Sequence, residues 1–102
     1  MIVEFSVVPL GMGQSISEYV AKAVSIVVDS GLPYKLTAMG TIIEGDWDQV
    51  MDVIKRCHNS VMDASGRVIT KISIDDRKNA SKNRMKEKIE SVEKHLKMKL
   101  NT

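Results

Sequence analysis

The chain has 102 residues, 43% of them hydrophobic and 27% charged, and a formal net charge of +2. That length suits one domain, and the composition is that of a globular protein rather than a disordered or membrane-resident one. No apolar run approaches the roughly 18 to 20 residues needed to cross a bilayer, and a single cysteine, Cys57, excludes an intramolecular disulfide; a cytoplasmic protein is expected.

"IVEFSVVP" (2–9) follows Met1 directly, with no basic leader or cleavage site before it, and its β-branched residues predict a strand closed by Pro9 and Gly11. Alternation puts Val3, Phe5 and Val7 on one face and Ile2, Glu4, Ser6 and Val8 on the other. A helix follows. Ser15 and Glu18 stand at capping-box spacing, and Ile16, Tyr19, Val20, Ala23, Val24 and Val27 form one stripe. Gly31 suits the left-handed position after a helix, and Pro33 forbids continuation.

"YKLTAMGTIIEG" (34–45) predicts two short strands turning near Met39-Gly40, with one long strand as the alternative. Asp46 and Gln49 are spaced as a second capping box, and Trp47, Val50, Met51, Ile54, Cys57 and Val61 form a stripe that ends before Ser65-Gly66. "RVITKISID" (67–75) is the fourth strand, followed by a charged connector. Met85, Ile89, Val92, Leu96 and Leu100 then predict an amphipathic helix, with Glu90–Lys94 and Glu93–Lys97 at ion-pair spacing.

The order βαββαβ is that of an α+β, ferredoxin-like antiparallel sheet with both helices on one face, to which the C-terminal helix is additional. Residues 1–76 are expected to form this domain. Residues 77–102 form a basic connector and helix that must rest on the same domain or on a neighbouring subunit. Charge divides the same way: residues 1–76 carry six Lys/Arg against ten Asp/Glu, and residues 77–102 carry nine against three. The uncovered sheet face, partly apolar through Ile2 and Val8, is expected to meet a second copy, sheet against sheet.

Most catalytic readings fail on the residues. "PLGMGQS" (9–15) has a Gly-x-Gly between strand and helix but lacks the rest of a phosphate-loop pattern. Cys57 and His58 are adjacent, so they point about 100° apart on a helix, and no metal site is expected. Cys57 has no base at an arguable distance and is read as a small buried hydrophobe. Glu4 and Glu44 are a conceivable acid pair without a nucleophile. Nucleic-acid binding through stacked bases is not expected, because Phe5, Tyr19, Tyr34 and Trp47 are the only aromatics and none is assigned to the open face of a central strand.

Four stretches, "FSVVPLGMG", "YKLTAMGTIIEGDWDQV", "ITKISIDDR" and "KIESVEKHL", cover nearly the whole chain between them and resemble the thiamine-binding-protein-like family of small ferredoxin-fold proteins. The resemblance implies a non-enzymatic protein without a cofactor or metal. It implies that sheets pack into dimers, and dimers into tetramers, with a pocket near the sheet interface for thiamine or its hydroxymethylpyrimidine portion. Carried onto this sequence, it names Ser6, Thr37, Thr41 and Glu44 as ligand contacts, hydroxyls and a carboxylate apt for an aminopyrimidine. Strict alternation puts Thr41 and Glu44 on opposite faces unless a bulge or strand end intervenes. The alternative reading is a structural or regulatory module that acts through self-association and its basic tail, without a small ligand.

Overall fold

The computed structural model describes residues 1–11, 16–80 and 82–102. Its elements run β1 (Ile2–Pro9), α1 (Ser17–Asp29), β2 (Tyr34–Thr37), β3 (Gly40–Glu44), α2 (Trp47–Ser65), β4 (Val68–Asp75) and α3 (Arg84–Leu96). The four strands form one antiparallel sheet in the order β2-β3-β1-β4. This is the ferredoxin-like arrangement, and residues 34–44 form the expected hairpin rather than the alternative single long strand.

The core lies between the sheet and the pair α1 and α2. Val3, Phe5 and Val7 of β1 and Ile43 of β3 are buried against Ala23 and Val27 of α1 and Val50, Val53, Ile54, Cys57 and Val61 of α2. The parity read for β1 is the observed one, and each fully buried valine or isoleucine contributes about 1.5–3 kcal/mol. Helix α2 starts on a complete capping box: Gln49 N donates to Asp46 Oδ1 at 2.8 Å, and Asp46 N donates to Gln49 Oε1 at 3.2 Å. It ends where Gly66 takes φ of +75° and donates its amide to Met62 O.

The helix stripes depart from expectation at their ends. Trp47, the first residue of α2, is 56% exposed. Val53, outside the predicted stripe, is buried in its place. On α1, Ile16 is the N-cap residue and makes no side-chain cap bond, and Ile16 and Val20 remain exposed. Ser15 of the Ser15–Glu18 box and Gly13 of the Gly-x-Gly lie outside the described residues, while Glu18 stands in the first turn of α1.

Helix α3 is docked at one end only. Its first turn meets β3 and β4, while Ile89, Val92 and Leu96 are 37, 48 and 54% exposed. The molecule consequently measures 46 × 28 × 21 Å, with a radius of gyration of 15.0 Å against about 13 Å for a compact chain of this length. The ion pairs on α3 also differ from those expected. Glu90 meets Lys86 at 3.8 Å, and Glu93 accepts from Leu100 N at 2.6 Å. Lys97 has left the helix with φ of +56°, which removes it from the position four residues on from Glu93. Among the described residues, no helix is long and apolar enough to cross a membrane.

Candidate functional site

The hairpin of β2 and β3 is closed by Thr37. Its Oγ1 donates to Gly40 O at 2.8 Å and accepts from Met39 N at 3.2 Å and Gly40 N at 3.1 Å. A threonine side chain closing on the backbone in this way replaces a turn residue such as asparagine. Gly40, opposite Thr37 in the β2–β3 ladder, is forced to be small: a Cβ there would stand 2.8 Å from Phe5 O. The hairpin can therefore lie close against β1.

That close approach forms a recess of about 180 Å³ between the hairpin, β1 and α1. Ser6, Thr37 and Thr41 line it, with Val20, Leu36 and Met39 around them. Thr41 opposes Phe5 and so faces the helix side of the sheet, where it is only 7% exposed. Among the described residues, its hydroxyl has no hydrogen-bond partner. Ser6, half-buried on the open-face parity of β1, also has none, and it reaches a second recess of about 370 Å³ with Glu4, Met39, Lys71 and Ser73. The rim is apolar and wet, with Met39 83% and Leu36 54% exposed.

Glu44 lies elsewhere. It opposes Ile2, the parity opposite to Thr41, and no bulge brings the two together. Its carboxylate, 4% exposed, accepts from Arg84 N at 2.8 Å through Oε2 and from Met85 N at 3.3 Å through Oε1. Both amides belong to the first turn of α3, whose own N-cap residue, Asn83, makes no side-chain cap bond. An anionic acceptor there meets unsatisfied donors and the positive end of the helix dipole. Glu44 also lines a separate recess of about 460 Å³ with Met1, Leu32, Asp46, Arg77 and Lys82.

Asp75, at the end of β4, secures the same turn. Its Oδ2 accepts from Lys88 Nζ at 2.7 Å and from Arg84 Nη2 at 3.0 Å, and these bonds, that of Lys88 first, hold its pKa below the usual aspartate value. The pairing of Glu44 and Asp75 with α3 was not readable in the sequence, since each partner lies 9 to 41 residues away and neither forms a local motif.

Nucleophilic groups are quiet. Cys57 is fully buried and its Sγ donates to Ala23 O at 3.3 Å; burial, opposed by the Arg56 charge, pushes its pKa up to about 11. It is a thiol at neutral pH, consistent with the role of a small hydrophobe. His58 Nδ1 and Thr70 Oγ1 share a hydrogen bond of 2.6 Å. Among the described residues, no three His, Cys, Asp or Glu side chains are placed to hold a metal ion.

These features define a small ferredoxin-like domain with a hydroxyl-lined recess at its hairpin. Residues 3–93 match the profile of the family described as thiamine-binding protein, and the chain belongs to that family. It is 41% identical over 97 residues to the UPF0045 protein Mb1933 of Mycobacterium bovis, covering 94% of each chain. It is 35% identical over 92 residues to the UPF0045 protein MJ1052 of Methanocaldococcus jannaschii, covering 90% of this chain and 91% of that one. The crystal structure of MJ1052 superposes with a TM-score of 0.82 at 34% identity, over 89% of this chain and 93% of that chain. A Thermotoga maritima structure, provisionally assigned to thiamine biosynthesis or salvage, superposes with a TM-score of 0.77 at 21% identity, over 89% of this chain and 96% of that chain, a likeness of fold alone.

Proposed function

We propose that this is a non-enzymatic, cytoplasmic binding protein for thiamine or its hydroxymethylpyrimidine portion, held in the hairpin recess of a dimer or tetramer. One observation carries the reading: Thr41, a residue only 7% exposed, lines with Ser6 and Thr37 a recess of about 180 Å³ between the hairpin, β1 and α1. Hydroxyls that line a recess both donate and accept, so they can bond the amine and the ring nitrogens of a bound polar ring. In this reading Thr41 and Ser6 offer hydroxyls to the ring. Thr37 fixes the turn that roofs the recess, and Glu44 acts from outside it by holding α3.

Size bears on the assembly. Ligand sites usually enclose about 300–1,000 Å³, whereas this recess holds about 180 Å³. It suits a single six-membered ring, and the exposed Leu36 and Met39 at its mouth favour completion by a second copy. The family membership supports small-molecule binding as the class of function. Calorimetric titration with thiamine and, separately, with hydroxymethylpyrimidine tests the assignment. Saturable heat from the pyrimidine is expected; no heat and no thermal shift at millimolar ligand, with the protein folded, rejects it.

A second reading is favoured by the half-exposed stripe of α3 and its excess of basic residues: a structural or regulatory module that acts through its tail. Deletion of residues 80–102 changes the oligomer mass if the tail sets assembly, and on this reading the full chain gives no heat with the pyrimidine. Mobility shift with nucleic acid across salt concentrations tests the electrostatic branch.

A further inference from the structure

Helix α1 turns an uncharged face to solvent. Ile16 at its N-cap and Val20 and Val28 along it are 36, 37 and 48% exposed, and Ser17, Ala21 and Ser25 lie between them. The charged residues of the helix, Glu18, Lys22 and Asp29, recur at spacings of four and seven, which gathers them on another edge. The uncharged face and Leu36 of β2, 54% exposed, bound an open groove of about 790 Å³. Val20, Val24 and Leu36 line the hairpin recess as well, so groove and recess adjoin, and no described residue lining either is charged.

We propose that the groove holds an uncharged apolar substituent of the ligand whose polar ring sits in the recess. The molecule selected is then a neutral pyrimidine extended by a short alkyl chain, in preference to thiamine, whose second ring is a thiazolium cation. The inference rests on the pyrimidine reading given above and adds to it the class of substituent that the ring carries.

Size and charge both lead there. The recess of about 180 Å³ is filled by one ring, so whatever the ring carries must leave it, and the groove begins at the walls the two share. A cation laid along that groove would give up water and meet no carboxylate in exchange. Glu44 is engaged by the amides of Arg84 and Met85, and Glu4 opposes Ile42 on the parity opposite to Thr41. An alkyl chain gives up nothing polar, and each methylene it buries against Val20, Val24 and Leu36 is worth about fourfold in affinity. Exposed apolar surface of this kind on a small domain commonly marks such a groove.

Calorimetric titration of the full chain with hydroxymethylpyrimidine, with its butyl ether and with thiamine tests the assignment. The butyl ether is expected to bind about tenfold or more tightly than hydroxymethylpyrimidine, and thiamine more weakly than either. Val20→Glu sets a carboxylate where recess and groove meet, and is expected to erase the advantage of the butyl ether and to tighten thiamine. Leu36→Thr, a neutral change at an exposed strand position, is expected to reduce the same advantage while hydroxymethylpyrimidine binds as before. Equal affinities for the butyl ether and hydroxymethylpyrimidine, or tighter binding of thiamine than of hydroxymethylpyrimidine, overturn the groove assignment and leave the recess reading standing. An advantage that survives both substitutions also overturns it, because the chain then lies elsewhere. A change of oligomer mass in Leu36→Thr with the order of the three ligands unmoved overturns it in favour of a contact between copies. No heat from any of the three, with the protein folded, overturns the groove and the recess reading together.

Discussion

Glu44 caps a helix that begins forty residues after it. Its carboxylate accepts from the backbone of Arg84 at 2.8 Å while the strand that carries it pairs with β1. Charged acceptors at helix starts contribute about 1–3 kcal/mol when buried. Glu44→Ala is therefore expected to lower stability by about that amount, and Glu44→Gln, which keeps one carbonyl oxygen, by about half. Urea titration measures the loss, and hydrogen exchange at the Arg84 and Met85 amides locates it. Unchanged exchange at those two amides would show that α3 is held by something else.

Asp75 gives the docking of α3 an acid limit. Its folded-state pKa lies below the unfolded one because Lys88 and Arg84 bond to the ionised form. The contribution is therefore present above the ordinary aspartate pKa of about 3.9 and is lost as the pH falls through the lowered native value. Protection of the α3 amides should decline at that acid edge in the wild type. In Asp75→Asn the protection should be lower at neutral pH and should lack that part of the decline. Identical acid profiles for the two proteins would remove Asp75 from the account.

Thr41→Val separates folding from binding. The hydroxyl it removes has no partner, so replacing it with a methyl group of the same shape should leave the free protein within about 0.5 kcal/mol or make it more stable. The stabilisation that hydroxymethylpyrimidine confers on the wild type should be reduced in the variant. Equal ligand-induced thermal shifts in the two proteins would exclude Thr41 from the site.

Gly40→Ala probes the close approach that makes the recess. The added Cβ meets Phe5 O, a backbone atom that cannot swing aside, so β3 must move from β1 at a cost of about 1–3 kcal/mol. A lower urea midpoint with an unchanged slope is the expected result. A midpoint equal to that of the wild type would mean that the hairpin is free to shift.

The fold was legible wherever its signals are local. The Asp46–Gln49 box, Gly66 after α2, and the alternation of Val3, Phe5 and Val7 each involve residues within one element, and each has its predicted place. The Thr37-to-Gly40 turn was half legible, since hydroxyl and glycine were both visible but their mutual bonding was not. Position within a stripe was less informative: Trp47 has the spacing of a core residue and is 56% exposed, because period alone does not report depth. The site was the least legible part. Four polar residues were drawn together by resemblance, yet strand parity sends Glu44 to the face opposite Thr41, and its partners are set by a chain return from residue 75 to residue 84.

The long-range cap also orders events in time. Arg84–Leu96 has 13 residues, a length at which an isolated helix in water is marginal. Its start depends on a carboxylate that is in place only once β3 has paired with β1. The tail is thus expected to fold after the sheet and to loosen before it, which hydrogen exchange at the Arg84 and Met85 amides tests. A probe on α3 therefore serves as a clock hand for β3, registering the strand's arrival during refolding and its first departure under stress.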